Sequence, residues 1–394
     1  MRLGALAAHY SRFRVSERLL FTGHSHQAWP DCAFDGQMQA LEDAARLLDD
    51  KWANAFAMAE RYRTAIAQRL GDDDGFVALG PSTHDLLIRL LSALPWRTRR
   101  RIVTTDGEYH SARRQFDRLE EEGIEVVRAP AGEVDDLAGD LAAAIDDRTL
   151  CVLVSHVMFR TGRIVPGLNV VAEACRRHGA ALVVDMYHSV NVVPVNLRDL
   201  SLEDAFVLGG GYKYMQCGEG NCFLRFPRDC RLRPIVTGWF AEFGAITAPA
   251  TRGGVPYADG AARFAGATYD PTSHYRAAAV MDFFDAMELT PPLLRAISQH
   301  QVSLLAASFD ALDLDPRIVM RPREVPVSAL GGFLAFESPQ AGVIHAALRE
   351  RGVLTDYRDR CLRFGPAPYI SDRQVVDATE ALGEVARAMA AGAH

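Results

Sequence analysis

From residue 76 onward the chain alternates short, almost uninterrupted apolar runs with amphipathic stretches of helical period, and this alternation restricts the fold more than any other feature. FVALG (76–80), RIVTTD (101–106), IEVVRAP (124–130), TLCVLVSHV (149–157), AALVVDMYH (180–188), AFVLGGG (205–211) and NCFLRF (221–226) read as strands. Between them STHDLLIRLLSAL (82–94) predicts a helix with a Ser/Thr cap, HSARRQFDRLEEEG one closed by Gly123, and helical spacing fills 135–146 and 167–178. A strand that is apolar on both faces must be covered on both faces. Alternating β and α units therefore predict an α/β fold with a mostly parallel sheet between helical layers. In such sheets ligands gather at the carboxyl ends of the strands.

The flanking regions read differently. Residues 1–55 predict an N-terminal arm with helices around HSHQAWPD, and helical spacing recurs through 35–70 (Met38, Leu41, Ala45, Leu48, Trp52). Gly- and Pro-rich irregular sequence, including TRGGVPYADG, runs from 244 to 272. A long helix is expected to start near Ser273. Beyond it GGFLAFES and CLRFG read as strands, with helices near 341–351 and 372–391. The expected division is an arm (1–55) that contributes to the small domain and the active site, a large domain (56–272) and a smaller α/β C-terminal domain (273–394).

The chain has 394 residues, 49% of them hydrophobic, enough for a sizeable core. Its net charge of −7 and single short basic run, Arg97 to Arg101, argue against a nucleic-acid partner, which needs a concentrated basic face. That run is expected to cap a helix end and solvate a loop. No apolar stretch approaches the roughly 20 residues of a bilayer span. The opening MRLGALAAHYSRF has too short an apolar run for a secretory leader, so it reads as part of the folded protein. The seven cysteines (Cys32, Cys151, Cys175, Cys217, Cys222, Cys230, Cys361) are odd in number and form no CxxC pair, which fits a reducing cytoplasm. The spacing of Cys217, Cys222 and Cys230 is wrong for a zinc knuckle, and no metal is expected.

Lysine usage is the sharpest chemical signal. Lys and Arg total 43, yet only Lys51 and Lys213 are lysine. A chain that uses arginine wherever a generic cation will do invites a chemical reason for each lysine, since a primary amine can condense with an aldehyde and a guanidinium cannot. Lys51 follows Asp49 and Asp50 and reads as a surface pair. Lys213 follows a strand end and three glycines, between Tyr212 and Tyr214, in VLGGGYKYMQCGEGNCFLRF. Desolvation there lowers an amine's pKa and favours Schiff-base chemistry. Two more polar clusters fall at strand ends. Gly80, Ser82 and Thr83 form either an anion site at a helix N-terminus or an ordinary N-cap. Asp185 ends a run of apolar residues, where a carboxylate is costly unless paired. A pyridoxal 5′-phosphate (PLP) enzyme needs such a carboxylate to keep the pyridine nitrogen protonated; a satisfied polar network at the sheet edge is the alternative. His188 would orient Asp185 or reach a cofactor phosphate. No P-loop motif occurs, and no GxGxxG opens the first βα unit, which argues against a dinucleotide site.

Taken in order, the motifs resemble fold-type I PLP enzymes of the class V aminotransferase group, and within it kynureninase. Asp185–x–x–His188 and Tyr212–Lys213–Tyr214 followed by Gly218 and Gly220 are similar to that family's DxxH and YKYxxxGPG. Gly238–Trp239–Phe240, the stretch Arg263–Phe264, Gly266, Thr268, Pro271, and the run Leu362 to Gly365 with Pro368–Tyr369 resemble three further family segments. The resemblance covers residues 75–390. It implies a large domain with a seven-stranded sheet, and a homodimer with shared active sites. Lys213, Asp185 and Tyr212 would form the catalytic centre, with Lys213 holding PLP and Asp185 pairing with the pyridine nitrogen. Ser82, Thr83, Tyr212 and His188 would hold the phosphate side, and Trp239 and Thr268 would reach it from the partner subunit. Tyr109 would stack on the ring, with His110 as its competitor. Arg363 would clamp the carboxylate of an amino-acid substrate, unless it is a structural arginine on an edge strand. The implied activity is hydrolytic Cβ–Cγ cleavage that releases alanine.

The sequence departs from the family at two places. Thr22–Gly23–His24–Ser25–His26–Gln27 stands where the family has a DGNSLG-like segment near the substrate, and Glu219 replaces the proline of YKYxxxGPG. His24 and His26 are either acid/base groups tuned to neutral pH or different packing. Both departures bear on the substrate more than on the cofactor. A class V aminotransferase, an epimerase or a cysteine desulfurase-like C–S lyase are the rival activities. Desulfurases carry a catalytic cysteine on a loop well upstream of the carboxylate arginine, whereas here the nearby thiol is Cys361, predicted on the same strand face as Arg363. A PLP-sensing regulator would be a non-catalytic alternative, but no DNA-binding extension is visible.

Overall fold

The computed structural model describes residues 3–132, 134–245 and 254–392, so part of the expected irregular stretch, 246–253, lies outside the described residues. The chain runs through 3-10 turns into β1 (Leu19–Leu20), then α1 (Cys32–Leu47), α2 (Lys51–Leu70), β2 (Phe76–Gly80), α3 (Thr83–Ala93), β3 (Arg101–Thr105), α4 (His110–Glu121), β4 (Glu125–Ala129), α5 (Leu137–Ala144), β5 (Thr149–Ser155), α6 (Leu168–His178), β6 (Ala181–Asp185), β7 (Phe206–Gly210) and β8 (Cys222–Phe226). It continues through α7 (Thr272–Ala286), α8 (Pro291–Ala311), β9 (Leu334–Glu337), α9 (Ala341–Glu350), β10 (Val353–Leu354), β11 (Asp356–Arg358), β12 (Cys361–Phe364) and α10 (Asp372–Gly392).

The expected seven-stranded sheet forms, in the order β2-β8-β7-β6-β5-β3-β4. All its pairs are parallel except those of β8, which runs antiparallel to both β2 and β7. Every residue of β5, an interior strand between β6 and β3, is buried, as a strand covered on both faces requires. The reversal of β8 positions the site. Cys222, at the amino end of β8, lies opposite Gly80 and Gly210, at the carboxyl ends of β2 and β7. Asp185, at the carboxyl end of β6, pairs in register with Ser155 and Leu208. One edge of the sheet thus collects the three polar clusters.

A second sheet, β11-β12-β9, is antiparallel. β1 pairs with β10, and Thr22 bridges Gly365, so the segment before α1 is held on the C-terminal elements. Three expectations change. The helical spacing of 35–70 is split at Leu48, whose φ of 48° is left-handed, and α2 restarts at Lys51. The Lys51 amine lies 5.9 Å from the Trp52 ring centre and makes no ion pair with Asp49 or Asp50. The basic run fastens strands instead of solvating a loop: Arg99 donates to the carbonyls of Thr149 and His178 at 2.9 and 2.7 Å, and Arg101 pairs with Glu125 and Asp146. No helix among the described residues is long and apolar enough to cross a membrane.

Beneath the sheet, Arg225 on β8 is 1% exposed and meets Asp72 through Nε–Oδ2 (2.6 Å) and Nη2–Oδ1 (2.8 Å), while its Nη1 donates to the carbonyls of Glu203 and Ala205. Removing one partner of such a pair strands a buried charge. Asp72→Ala is expected to lower unfolding free energy by about 3–5 kcal/mol, measured by denaturant titration. A change below about 1 kcal/mol would mean the guanidinium does not depend on this carboxylate.

Candidate active site

Lys213 is buried at 5% exposure. Its amine is 2.8 Å from His188 Nε2 and lies over three tyrosine rings, 4.6 Å from the centre of Tyr187, 5.5 Å from Tyr109 and 5.7 Å from Tyr212. The glycines before it allow this crowding. A Cβ at Gly210 would come within 2.3 Å of the Tyr187 hydroxyl, so only glycine leaves that ring its place beside the amine. Burial lowers the Lys213 pKa to about 7, against the opposing pull of the Asp185 charge. Burial likewise pushes His188 well below its usual range, and the neighbouring cations Lys213 and Arg363 push the same way. No described hydrogen bond joins His188 to Asp185; its Nε2 meets the Lys213 amine instead.

Asp185 accepts the Tyr187 N–H at Oδ1 (2.8 Å), and among the described hydrogen bonds Oδ2 has no partner. Burial raises its pKa, although the Tyr187 N–H and the Lys213 charge pull it down. It lines a narrow cleft of about 20 Å³ together with Thr83, Tyr109, Ser111 and Leu208. A half-satisfied carboxylate lining a cleft near a buried amine fits a protonated pyridine nitrogen and an aldehyde, so the residues present suit PLP.

The other predicted residues divide. Ser82 accepts the Asp85 N–H at 3.1 Å and donates to the Asp85 carboxylate, so its hydroxyl caps α3; Thr83 is the member of the pair that lines the cleft. Tyr109 lines the cleft edge-on to Phe159, and His110 packs edge-on to the same Phe159 ring without lining the cleft. Trp239 Nε1 donates to Thr268 Oγ1 at 3.1 Å; Trp239 is 45% exposed, and no described contact joins the two to the Lys213 cluster of the same chain. His26 is exposed, stacks on Tyr212 (4.6 Å between ring centres, 18°) and places Nε2 3.6 Å from Glu219 Oε1, so the two departures from the family pattern meet. His24 is fully buried elsewhere, with Nε2 2.7 Å from Asp356 Oδ1. Arg363, 3% exposed, grips the same Asp356 through Nε (2.8 Å) and Nη2 (2.5 Å), and its Nη1 donates to the Phe159 carbonyl.

Three residues of the site escaped sequence reasoning. Asp356 sits on a strand too short to show a period, and only reading DYRDRCLRF as a hairpin would have set it opposite Arg363. Tyr187 was visible only as part of the strand end. Glu108 is buried, accepting from the Thr105 hydroxyl (2.8 Å) and the Ser155 N–H (3.1 Å), and burial pushes its pKa up to about 7. An acid one turn past a strand end, in TTDGEYH, was the available signal. Cys361 shares the Arg363 face of β12 as expected. Its thiol is bonded to the Arg160 carbonyl, and burial pushes its pKa up to about 11. No cluster of metal-ligating side chains occurs among the described residues.

The amine at position 213 yields a pH prediction. Only its neutral form attacks an aldehyde, so the rate at which apoprotein takes up PLP is expected to rise as pH climbs through about 7 and then level off. An exposed lysine would keep gaining up to about 10.4. Stopped-flow absorbance follows the uptake, and borohydride should trap PLP on the wild type and not on Lys213→Ala. A rate still rising steeply above pH 9 would contradict the buried environment.

Comparison with known proteins places these features. The aminotransferase class-V family profile matches residues 46–288, and the kynureninase C-terminal domain profile matches residues 294–382. Kynureninase from Pseudomonas fluorescens is 27% identical over 412 residues, spanning 97% of this chain and 92% of its own. Kynureninase from Burkholderia pseudomallei (strain K96243) is 29% identical over 355 residues, spanning 84% and 80%. Among solved structures, a variant of C-DES with glycine covalently linked to its PLP cofactor superposes with a TM-score of 0.81 at 18% identity, covering 96% of this chain and 98% of that one. The cysteine desulfurase from Thermococcus onnurineus NA1 gives 0.79 at 18% identity, covering 98% of both chains. These structures share the fold-type I architecture. With its buried lysine, its strand-end carboxylate and its mostly parallel sheet, the chain belongs to the class V aminotransferase family of PLP-dependent proteins and carries a kynureninase-type C-terminal domain.

Proposed function

We propose that this protein is a hydrolase that cleaves the Cβ–Cγ bond of an amino acid bearing a γ-carbonyl, releasing alanine and a carboxylic acid, as kynureninases do. The observation that carries the reading is the Lys213 amine, buried against His188 at 2.8 Å beside Asp185, in a chain whose C-terminal residues match the kynureninase domain. PLP, when bound, supplies an electron sink for negative charge at the substrate carbon next to the amino group. Lys213 would hold the cofactor, Asp185 would meet its ring nitrogen through Oδ2, and Tyr109 would stack on it. Thr83, Tyr212 and the free amides at the start of α3 would take the phosphate. An amine that titrates near 7 can both remove a proton from the substrate Cα and return one to the product carbon. His188, bonded to that amine and itself kept neutral by burial, would orient the amine toward the substrate without taking its proton. The ring of tyrosines excludes water from the amine. Arg363 would hold the substrate carboxylate.

The working form is proposed to be a cytoplasmic homodimer. The exposed Trp239–Thr268 pair supports this, since it is free to reach the phosphate side of the neighbouring subunit's cleft. The seven unpaired cysteines suit a reducing compartment. A C–S lyase is the second reading, favoured by the fold neighbours. Against it, the Cys361 thiol is buried, bonded to a carbonyl and far from ionising at neutral pH.

A substrate panel decides. Holoenzyme is incubated with kynurenine, 3-hydroxykynurenine, cysteine, cystine and aspartate, and alanine, sulfide and keto acid are quantified. Alanine with an aromatic acid from either kynurenine is expected. Sulfide or keto acid from another substrate, with both kynurenines inert, would overturn the assignment.

A further inference from the structure

The Arg363 guanidinium is not free. A guanidinium has five N–H donors. Asp356 takes Nε–H and one Nη2–H, and the Phe159 carbonyl takes one Nη1–H. Two donors remain, one on each terminal nitrogen. Asp356 is in turn shared. His24 Nε2 meets its Oδ1 at 2.7 Å, the same oxygen that accepts Arg363 Nε–H. Burial raises the Asp356 pKa, but the hydrogen bonds and charges of His24 and Arg363 outweigh it and hold the carboxyl ionised. His24 is kept neutral by burial, with a pKa lowered to about 4, so its Nε2 carries the proton and donates.

The ring of His24 is itself seated. It packs against Phe333 with centres 4.6 Å apart, and the same Phe333 lies 5.7 Å under the Arg363 guanidinium. A Cβ at position 365 would fall 2.3 Å from His24 Nδ1, so Gly365 is what leaves room for an imidazole here. The N-terminal segment that carries His24 is fixed to the C-terminal elements by the β1–β10 pair and by the Thr22–Gly365 bridge. Two distant parts of the sequence therefore converge on one carboxylate.

We infer that Asp356 and His24 are positioning residues: Asp356 anchors one edge of the Arg363 guanidinium, His24 anchors Asp356, and the two remaining terminal donors present a single fixed docking edge for the substrate's α-carboxylate. The inference rests on the proposed reading that Arg363 holds that group. It adds that the edge is pre-set by residues that do not touch substrate. Because Asp356 already balances the Arg363 charge, recognition depends on the direction of two hydrogen bonds and not on net attraction. The site then selects α-amino acids whose carboxylate can lie in the guanidinium plane, and penalises analogues in which it is amidated or absent.

The test uses holoenzyme and two ligands that differ only in the carboxylate, L-alanine and ethylamine, with dissociation constants read from the cofactor's absorption change. Asp356→Asn is expected to weaken L-alanine by about tenfold or more and leave ethylamine within about twofold, with cofactor affinity unchanged. His24→Leu should weaken L-alanine in the same direction by about threefold, and His24→Gln, which keeps an N–H donor, should recover most of that loss. The two His24 variants decide the matter if Asp356→Asn does not fold. Equal weakening of both ligands would reduce Asp356 to a general structural role, and tighter L-alanine binding would make it a competitor for Arg363; either overturns the proposal. Arg363→Lys tests the underlying reading separately. If L-alanine binding survives it unchanged, Arg363 is not the carboxylate site and the proposal falls with that reading.

Discussion

The structure depends on keeping one amine out of water. Holding Lys213 with a pKa near 7 instead of 10.5 means that the folded protein disfavours its charged form by about 5 kcal/mol. A chain tolerates that only where the amine has a partner that does not force it to ionise. Here the direct partner is a histidine, itself neutral, while the balancing carboxylate Asp185 acts through space. Glycine before the lysine lets Tyr187 close over it, and the reversed strand β8 returns the chain along the sheet so that the loop carrying Lys213 stays at the carboxyl edge.

Electrostatically the site has two halves. Around Lys213 the groups are held at or near their neutral forms: an amine near 7, a neutral imidazole, and a carboxyl at Glu108 pushed up to about 7. Around Arg363 the charges are locked, with an ionised Asp356 and a guanidinium that cannot deprotonate. Burial moves the first set toward neutrality because each lacks a full counter-charge in contact. In the second set hydrogen-bonded opposite charges overcome the same burial. In the proposed reaction, proton transfer and substrate holding would thus fall to different residues by the same physical rule, applied to different neighbours.

The sheet was legible because a strand covered on both faces leaves a contiguous apolar run, and all seven such runs form strands. Helices α7, α9 and α10 were anticipated near their observed places, but α8 was not: the long helix expected from near Ser273 ends at Ala286 and a second begins at Pro291. Short elements were not legible. β1, β10 and β11 have two or three residues, too few for any periodicity, and yet they carry the contacts that bring His24, Asp356 and Arg363 together. The break between α1 and α2 was hidden because Leu48 takes a left-handed backbone that nothing in its side chain announces. His188 was found near the site, but its bond to the Lys213 amine was not, since a position three residues past Asp185 does not specify the direction of its ring.

The amino-acid sequence alone determined the layer order, the edge of the sheet where the candidate site lies and the residue types gathered there. These follow from local properties: hydrophobic period, strand ends and the scarcity of lysine. Only the tertiary structure decided who pairs with whom. Whether Ser82 faces a ligand or caps its own helix, whether His24 and His26 act together or part, and which carboxylate holds Arg363 depend on where side chains point in the folded chain: Ser82 meets Asp85 three residues on, Arg363 meets Asp356 seven residues back across a hairpin, and His24 reaches the same Asp356 from 332 residues away. A hydrogen bond is set by distance and direction in space, and neither can be read from separation along the chain.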